Sequence, residues 1–492
     1  MQSIPPLRQK AIDILNRFSG KELSIKEKLA IPQQEMPCQE AHERRYNMQE
    51  VALGYFAEQA VVEAKRCLQC HNAPCIKGCP VSINIPAFIR AIEGNQPLEA
   101  FRIIKQTNML PAVCGRVCPQ EKQCMAACTV GKSLNNIEKA VAIGRLERYA
   151  ADYASRSYQC NTAEQLPQND RRIAIVGSGP SALSAAADLA RAGCQVEIFE
   201  ALQQPGGVTL YGIPEFRLPK EIVRHEIEQL KALGVVFHTD YLVGRTRSID
   251  NFLKDDGFNA VYIASGAGLP VFMNIPGENL KGVLSANEYL TRINLMQAYL
   301  PQSNTPINRA RKVAVLGGGN VAMDAARTAL RLDAEEVYIV YRRSAEEMPA
   351  RLEEIHHAEE EGVIFSYLTQ PVELIGDSDG HVRGLKCLRC RLGGKDESGR
   401  LRPEVIKNSE FVIPVDLVII AIGNSSNPLI RMTTPGLLCN ERGNIITDED
   451  GKTSLDSIYA GGDSVSGAAT VISAMGQGRR AAAAINRTLN SI

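Results

Sequence analysis

The chain has no excess of either charge: its 492 residues hold 55 Lys and Arg against 55 Asp and Glu. That balance argues against a general grip on nucleic acid or on an anionic membrane surface. No segment reaches the ~20 continuous apolar residues of a membrane span. The opening stretch MQSIPPLRQKAIDILNRFSGKE lacks the uninterrupted apolar run of a signal peptide. These absences set the expectation of a cytoplasmic protein with neither a membrane nor a nucleic acid as partner. In that reducing compartment the 14 cysteines are available as thiolates for metal rather than paired as disulfides. The length allows about three domains on a soft prior of ~150 residues each.

Eight of the cysteines fall in two groups between Cys67 and Cys128. The first, RCLQCHNAPCIKGCP at 66–80, separates Cys67, Cys70, Cys75 and Cys79 by two, four and three residues and places Pro80 after the last. The second, CGRVCPQEKQCMAAC at 114–128, separates Cys114, Cys118, Cys124 and Cys128 by three, five and three, with Pro119 after Cys118. Bacterial ferredoxins use a shorter run ending in Cys-Pro, whose last Cys ligates the other cluster of the pair. The longer runs exclude an ordinary ferredoxin domain but keep its logic. Cys67, Cys70 and Cys75 hold one iron–sulfur cluster, and Cys79 reaches toward a second that takes ligands from the other group. Structural zinc is the alternative, because four-cysteine zinc sites also open on two cysteines two residues apart.

A dinucleotide fingerprint follows in IAIVGSGPSALSAAADLARAGCQVEIFEA at 173–201. Gly177 permits the tight turn, Gly179 lets the backbone approach a pyrophosphate, and Ala182 lets the helix pack on the sheet. The helix N-terminus, opening Pro180-Ser181, offers unpaired N–H groups to phosphate. Glu200 closes the second strand, where a carboxylate accepts ribose hydroxyls and repels a 2′-phosphate. A second copy, KVAVLGGGNVAMDAARTALRLDAEEVYIVYRRS at 312–344, has Gly317, Gly319 and Ala322 in the same three places, with Asn320 and Val321 between. Where the first copy ends in Glu200, this one ends in Arg342 and Arg343, which suit an NADP 2′-phosphate. FAD is therefore assigned to the first site and NADPH to the second; a solvated strand end is the alternative for the arginines.

VYIASGA at 261–267 and LVIIAIGN at 417–424 are apolar strands ending in small residues, and they serve as crossovers between the two nucleotide units. The tail IYAGGDSVSGAATVISAMGQGRRAAAAI at 458–485 places Gly462 and Asp463 at a strand end, then a helix opening near Thr470 and Val471. An Asp in that place binds a flavin ribityl hydroxyl while the helix N-terminus faces the ring. Gly206, Gly207, Gly212, Ile213 and Arg217 complete the expected FAD surroundings. CLRC, with Cys387 and Cys390, has the look of a redox dithiol, yet LKCLRCRL reads as a strand whose residues three apart face opposite sides. Cys38, Cys160, Cys194 and Cys439 have no partner at ligand spacing. His356 and His357 in RLEEIHHAEEEG read as a solvated helix face, and residues 1–45 as helical packing or a linker.

With these motifs together, the chain resembles the glutamate synthase small-chain family. Also in that family are the NADPH- and FAD-binding subunit of electron-bifurcating ferredoxin:NADP transhydrogenase and the N-terminal half of dihydropyrimidine dehydrogenase. LPAVCGRVCP at 110–119, YGIPEFRLPK at 211–220, VLGGGNVAMD at 315–324, YRRSAEEMP at 341–349 and YAGGDSV at 459–465 carry the likeness. It implies one 4Fe–4S cluster on Cys67, Cys70, Cys75 and Cys128, and another on Cys79, Cys118, Cys124 and Glu147 of GRLERY. Cys114 is then left without iron. The implied fold is α/β, with two Rossmann-like domains, the NADPH domain inserted in the FAD domain, behind an N-terminal α-helical domain carrying both clusters. Expected bounds are 1–165 for the helical domain, 166–290 and 426–492 for FAD, and 291–425 for NADPH.

The expected activity is that of an NADPH oxidoreductase passing electrons through FAD and the clusters to a partner subunit. Hydride transfer needs no acid–base pair, so no catalytic dyad is expected. Three domains leave no room for an amidotransferase domain and an FMN barrel. The partner is a glutamate synthase large chain or, in the bifurcating alternative, a small flavin and 2Fe–2S subunit; an oligomer is compatible with either. A pyridine-nucleotide disulfide reductase using Cys387 and Cys390, and a zinc scaffold, are the readings from other classes.

Overall fold

The computed structural model describes residues 5–157, 168–396 and 399–490. Up to Ser157 the described chain is built of short helices, many set by proline at the start, as in Pro97–Lys105 and Pro111–Val117. Ile85–Glu93 buries Ile85, Phe88, Ile89 and Ile92, the three- and four-residue spacing of one helix face. The boundary expected at 165/166, and Cys160, lie outside the described residues.

The first nucleotide unit is a parallel five-stranded sheet in the order Ile458–Ala460, Ala260–Ile263, Arg172–Val176, Gln195–Phe199, Val236–His238. Its edge strand comes from the far end of the chain. The second unit repeats the plan: Val283–Ser285, Leu417–Ile420, Lys312–Leu316, Glu336–Val340, Ile364–Ser366, again all parallel. The strands Ala260–Ile263, Arg172–Val176, Leu417–Ile420 and Lys312–Leu316 at the centre of the two sheets are buried on both faces almost throughout, which their apolar runs require.

The edge strand Val283–Ser285 and the helix Ala286–Asn294, which puts Tyr289, Leu290 and Ile293 into the second core, both belong to the second unit. The expected boundary at 290/291 therefore cuts through that helix. The chain passes between the units at one narrow neck, where Leu269–Pro270 pairs antiparallel with Asn424–Ser425. Thr369–Gly376, Val382–Lys395, Leu401–Val405 and Phe411–Pro414 add an antiparallel sheet to the second unit.

One apolar core runs without a break from the helical region into the first nucleotide unit, joining Phe88, Ile104 and Val113 to Ile173, Ala182 and Ile485. The long helix Val471–Asn490 carries this continuity. It lies against Pro180–Arg191 so closely that a Cβ on Gly478 would collide with the Ser181 carbonyl, and one on Gly476 would sit 2.7 Å from the Pro80 carbonyl oxygen.

Candidate functional site

At the first glycine turn, Gly177 has φ +95°, and a Cβ there would lie 2.5 Å from the Ala264 carbonyl oxygen, so only glycine fits. Gly179 faces open space, with no atom within 4 Å of where its Cβ would be, directly before the helix Pro180–Arg191. This is the bare backbone and free helix end that a pyrophosphate needs. Glu200 is buried; Oε2 accepts from Ser178 N at 2.9 Å and from its hydroxyl at 2.5 Å, and Oε1 accepts from Leu202 N at 2.8 Å. Gly206 N donates to Ser178 Oγ at 2.9 Å, and Gly207 packs on Gly179, so the loop is laced to the turn. From the other end of the chain, Gly462 packs over Ser181, and Asp463, its carboxyl pushed up by burial, accepts from Ala469 N at 3.1 Å.

The cysteines sort by position. Cys67, Cys70, Cys75 and Cys128 line one largely apolar cavity. Burial pushes Cys75 up to about 12, with Cys67, Cys128 and Cys70 adding to the effect. Cys124 is raised first by burial, then by Glu147, Cys79, Cys118 and Cys75. Burial takes Glu147 up to about 8, opposed by the hydrogen bond it accepts from Asn108. Among the described residues no group of three or more His, Cys, Asp or Glu is tight enough for a single metal ion; Cys67, Cys70, Cys75 and Cys128 border a space instead. Thiols held this high ionise when iron supplies the opposing charge. Cys114 lies fully buried, its Sγ 3.6 Å from Met475 Sδ.

The second glycine turn reproduces the first. A Cβ on Gly317, φ +139°, would run into the Ala421 carbonyl, as Gly177 would into Ala264. Gly319 leads into Asn320–Arg331, Ala322 is fully buried, Val321 is exposed, and Asn320 Oδ1 accepts from Arg351 N at 2.9 Å. The two arginines part company. Arg343 is buried, pairs with Asp396 at 2.6 Å and donates to the Leu401 carbonyl at 2.8 Å, so it anchors the antiparallel sheet. Arg342 stands exposed at the strand end. The expectation of two phosphate-reading arginines narrows to Arg342.

Residues 44–159 match the family described as dihydropyrimidine dehydrogenase domain II, 4Fe-4S cluster. Residues 175–225 match the NAD(P)-binding Rossmann-like domain, and 242–478 the pyridine nucleotide-disulphide oxidoreductases. The chain is 36% identical to a glutamate synthase [NADPH] small chain of Halomonas elongata over 90% of its own length and 93% of that protein's. The chain belongs to the glutamate synthase small-chain family. It is an NADPH-dependent flavin and iron–sulfur oxidoreductase subunit, with FAD, NADPH and 4Fe–4S as its cofactors. The Escherichia coli small chain is 34% identical over 89% of this chain and 93% of its own. The beta subunit of an NADP(+)-dependent formate dehydrogenase from Moorella thermoacetica is 38% identical over 85% of this chain, which spans only 60% of that protein. Among solved structures, FprA from Mycobacterium tuberculosis shares the fold at a TM-score of 0.56 and 22% identity, covering 66% of this chain and 85% of that one.

In this family member Arg217, expected among the FAD surroundings, is engaged with acids of the second unit. It is buried, donates to both carboxylate oxygens of Asp324 at 2.6 and 2.7 Å, and lies 3.2 Å from Glu354, so it ties the GIPEFRLPK segment to the second unit. Arg327, stacked over Phe216, pairs with Glu354 and Glu361. Glu361, its side chain wholly inaccessible, also takes Arg331 at 2.6 Å and Arg44 at 2.9 Å. The helix Leu352–Glu360, expected to be solvated, is thus the seam between the second unit and the N-terminal helices. His356 is exposed, but His357 is buried 3.9 Å from Cys38 and its pKa falls, chiefly through burial. Neither Asp324 nor Glu361 announces this role in sequence except as an acid, Asp324 inside a largely apolar helix and Glu361 just past the end of a charged one.

Lys220 was also missed: fully enclosed, it donates to the carbonyls of Thr209 and Leu218 at 3.2 Å and to that of Ile213, bracing the segment that holds Gly212 and Ile213. Cys387 and Cys390 are both buried and free, with Cys387 pushed up to about 12 by burial. A buried neutral thiol is a poor dithiol nucleophile. Cys390→Ser is expected to retain full NADPH-linked activity in steady-state assays.

Proposed function

We propose that the chain carries two 4Fe–4S clusters, on Cys67, Cys70, Cys75 and Cys128 and on Cys79, Cys118, Cys124 and Glu147, and delivers electrons from NADPH to a glutamate synthase large chain. When bound, FAD supplies two-electron acceptance from NADPH and one-electron release to iron–sulfur centres. The observation that carries the direction of flow is the seam between the cysteines and the flavin helix. Pro80, next to Cys79, rests on Gly476. Gln123 Nε2, beside Cys124, donates to Thr470 Oγ1 at 3.2 Å, at the N-terminus of Val471–Asn490. The buried group of Cys79, Cys118 and Cys124 thus adjoins the flavin end, while in the other group Cys67, Cys70 and Cys75 are partly exposed and only Cys128 is buried. A partner's acceptor meets the chain at that outer group.

A partner subunit fits a chain whose relatives are named as subunits and small chains. The choice of large chain rests on the near-complete overlap with glutamate synthase small chains. No helix among the described residues is long and apolar enough to cross a membrane. Anaerobic titration with NADPH and NADH, in the presence and absence of a glutamate synthase large chain, tests the reading: NADPH alone reduces flavin and clusters, and glutamate forms only with the large chain present. Reduction without glutamate redirects the search to a small flavin and 2Fe–2S partner. Arg342→Ala is expected to raise KM for NADPH roughly ten- to hundredfold, the worth of a charged hydrogen bond, while leaving NADH unchanged.

A further inference from the structure

We propose that Asn108 is a positioning residue for the inner cluster: its amide holds one oxygen of Glu147 and turns the other toward iron. The proposal rests on the assignment of Glu147 as a ligand.

Asn108 is wholly buried, just beyond the helix Pro97–Lys105, and its backbone N–H is satisfied by the Ile104 carbonyl at 2.9 Å. Its Oδ1 accepts from Leu110 N at 2.9 Å and faces the Cys114 thiol at 3.7 Å. Two donors converging on one end of the amide fix which end is oxygen. The NH2 group must therefore point the other way, and there Nδ2 donates to Glu147 Oε1 at 2.5 Å. Among the described residues no other hydrogen bond reaches this carboxylate, so Oε2 is left without a hydrogen bond and is the oxygen available to iron.

A carboxylate can bind iron through either oxygen and rotates freely unless held. Pinning Oε1 selects Oε2 and fixes the ligand's direction. It also draws electron density from the ligand, which favours the reduced cluster; hydrogen bonds to metal ligands tune potential in this way. Cys114, packed between Asn108 and Met475 of the flavin helix, is explained as the brace that keeps the amide in place rather than as a ligand.

The test is an EPR-monitored redox titration of the full chain, purified anaerobically, alongside iron analysis and thermal unfolding. Asn108→Asp keeps the acceptor for Leu110 N–H but replaces the donor facing Glu147; Asn108→Leu removes both. Each is expected to lower the inner cluster's potential so that its reduced-to-oxidised ratio falls about tenfold at a fixed solution potential, about 59 mV for one electron, with the outer cluster unmoved. Lower thermal stability with an unchanged inner potential in both variants would make Asn108 a loop brace only and overturn the proposal. Glu147→Ala separates the two layers: if it leaves the inner cluster's signal and potential intact, the ligand assignment fails first and the proposal with it. If Glu147→Ala alters the cluster and the Asn108 variants do not, the positioning role alone is wrong.

Discussion

Cys124→Ser is expected to halve the protein's iron, from about eight to about four atoms per chain, because two 4Fe–4S clusters contain that much. Cys124 is buried with Glu147, Cys79 and Cys118 as its electrostatic neighbours, and it lies next to Gln123, which bonds to Thr470. Flavin bleaching by NADPH persists in the variant, since none of the residues around Gly177, Gly179 or Glu200 is touched. Reduction of the outer group is expected to become slow relative to flavin reduction, because in the proposed arrangement the vacated site is the link between that group and the flavin helix. Cys75→Ser gives the complementary result, losing the outer signal and keeping the inner. Cys114→Ser retains about eight irons. Stopped-flow absorption with EPR of the reduced protein resolves all three; full iron in Cys124→Ser, or half in Cys114→Ser, would reverse the sorting of ligands.

Glu361→Leu is expected to be the most destabilising single substitution on the seam between the units. Its carboxylate, inaccessible to solvent, neutralises Arg44, Arg327 and Arg331 together. Removing one partner from a buried ion network leaves charges uncompensated and costs about 3–5 kcal/mol, on the order of 10 °C in Tm for a unit of this size. Glu360, whose pair with Arg44 is half exposed on the acid's side, is the control: Glu360→Gln is worth under about 1 kcal/mol. Calorimetry distinguishes them, and limited proteolysis before residue 57 reports whether the N-terminal helices come loose.

The same network carries an acid limit. Burial alone would raise Glu354, but Arg217 and Arg327 overcome it and bring the carboxyl from the ordinary 4.5 down to about 2; Glu361 is also held well below the usual range, by Arg327 and Arg331 against burial. Carboxylates depressed by folding stabilise fully above the unfolded value. Their contribution therefore stands above about pH 4.5 and is lost as pH falls toward 2. In Glu361→Leu this acid-dependent loss is shallower.

The two glycine turns were legible because their chemistry is local: a strand, a bare backbone and a helix end within one short stretch, repeated at Gly177 and Gly317. The cysteine groups were legible as the mark of an iron–sulfur region, but spacing alone counts Cys114 in and Glu147 out, the reverse of the ligand set proposed above, since a lone acid in a helix carries no local mark. Arg217, Arg343 and His357 were misplaced for a single reason. Each is charged or polar in a stretch that reads as surface, and each is buried against a residue far along the chain: Asp324, Asp396 and Cys38. Long-range pairing of this kind has no period and no spacing, so a lone sequence does not show it. The edge strand Val283–Ser285 was lost similarly, being only three residues long.

The neck between the units has one more consequence. Because Leu269–Pro270 and Asn424–Ser425 lie side by side, everything between them is a cassette with both cuts at one place. Coenzyme preference can then be exchanged by grafting a whole domain, with no change of length at either junction and no alteration to the turn around Gly177 or to the cysteines. Beyond the neck, the graft must bring acids where Asp324, Glu354 and Glu361 stand, because Arg44 and Arg217 remain behind on the host, and arginines where Arg327 and Arg331 meet Phe216.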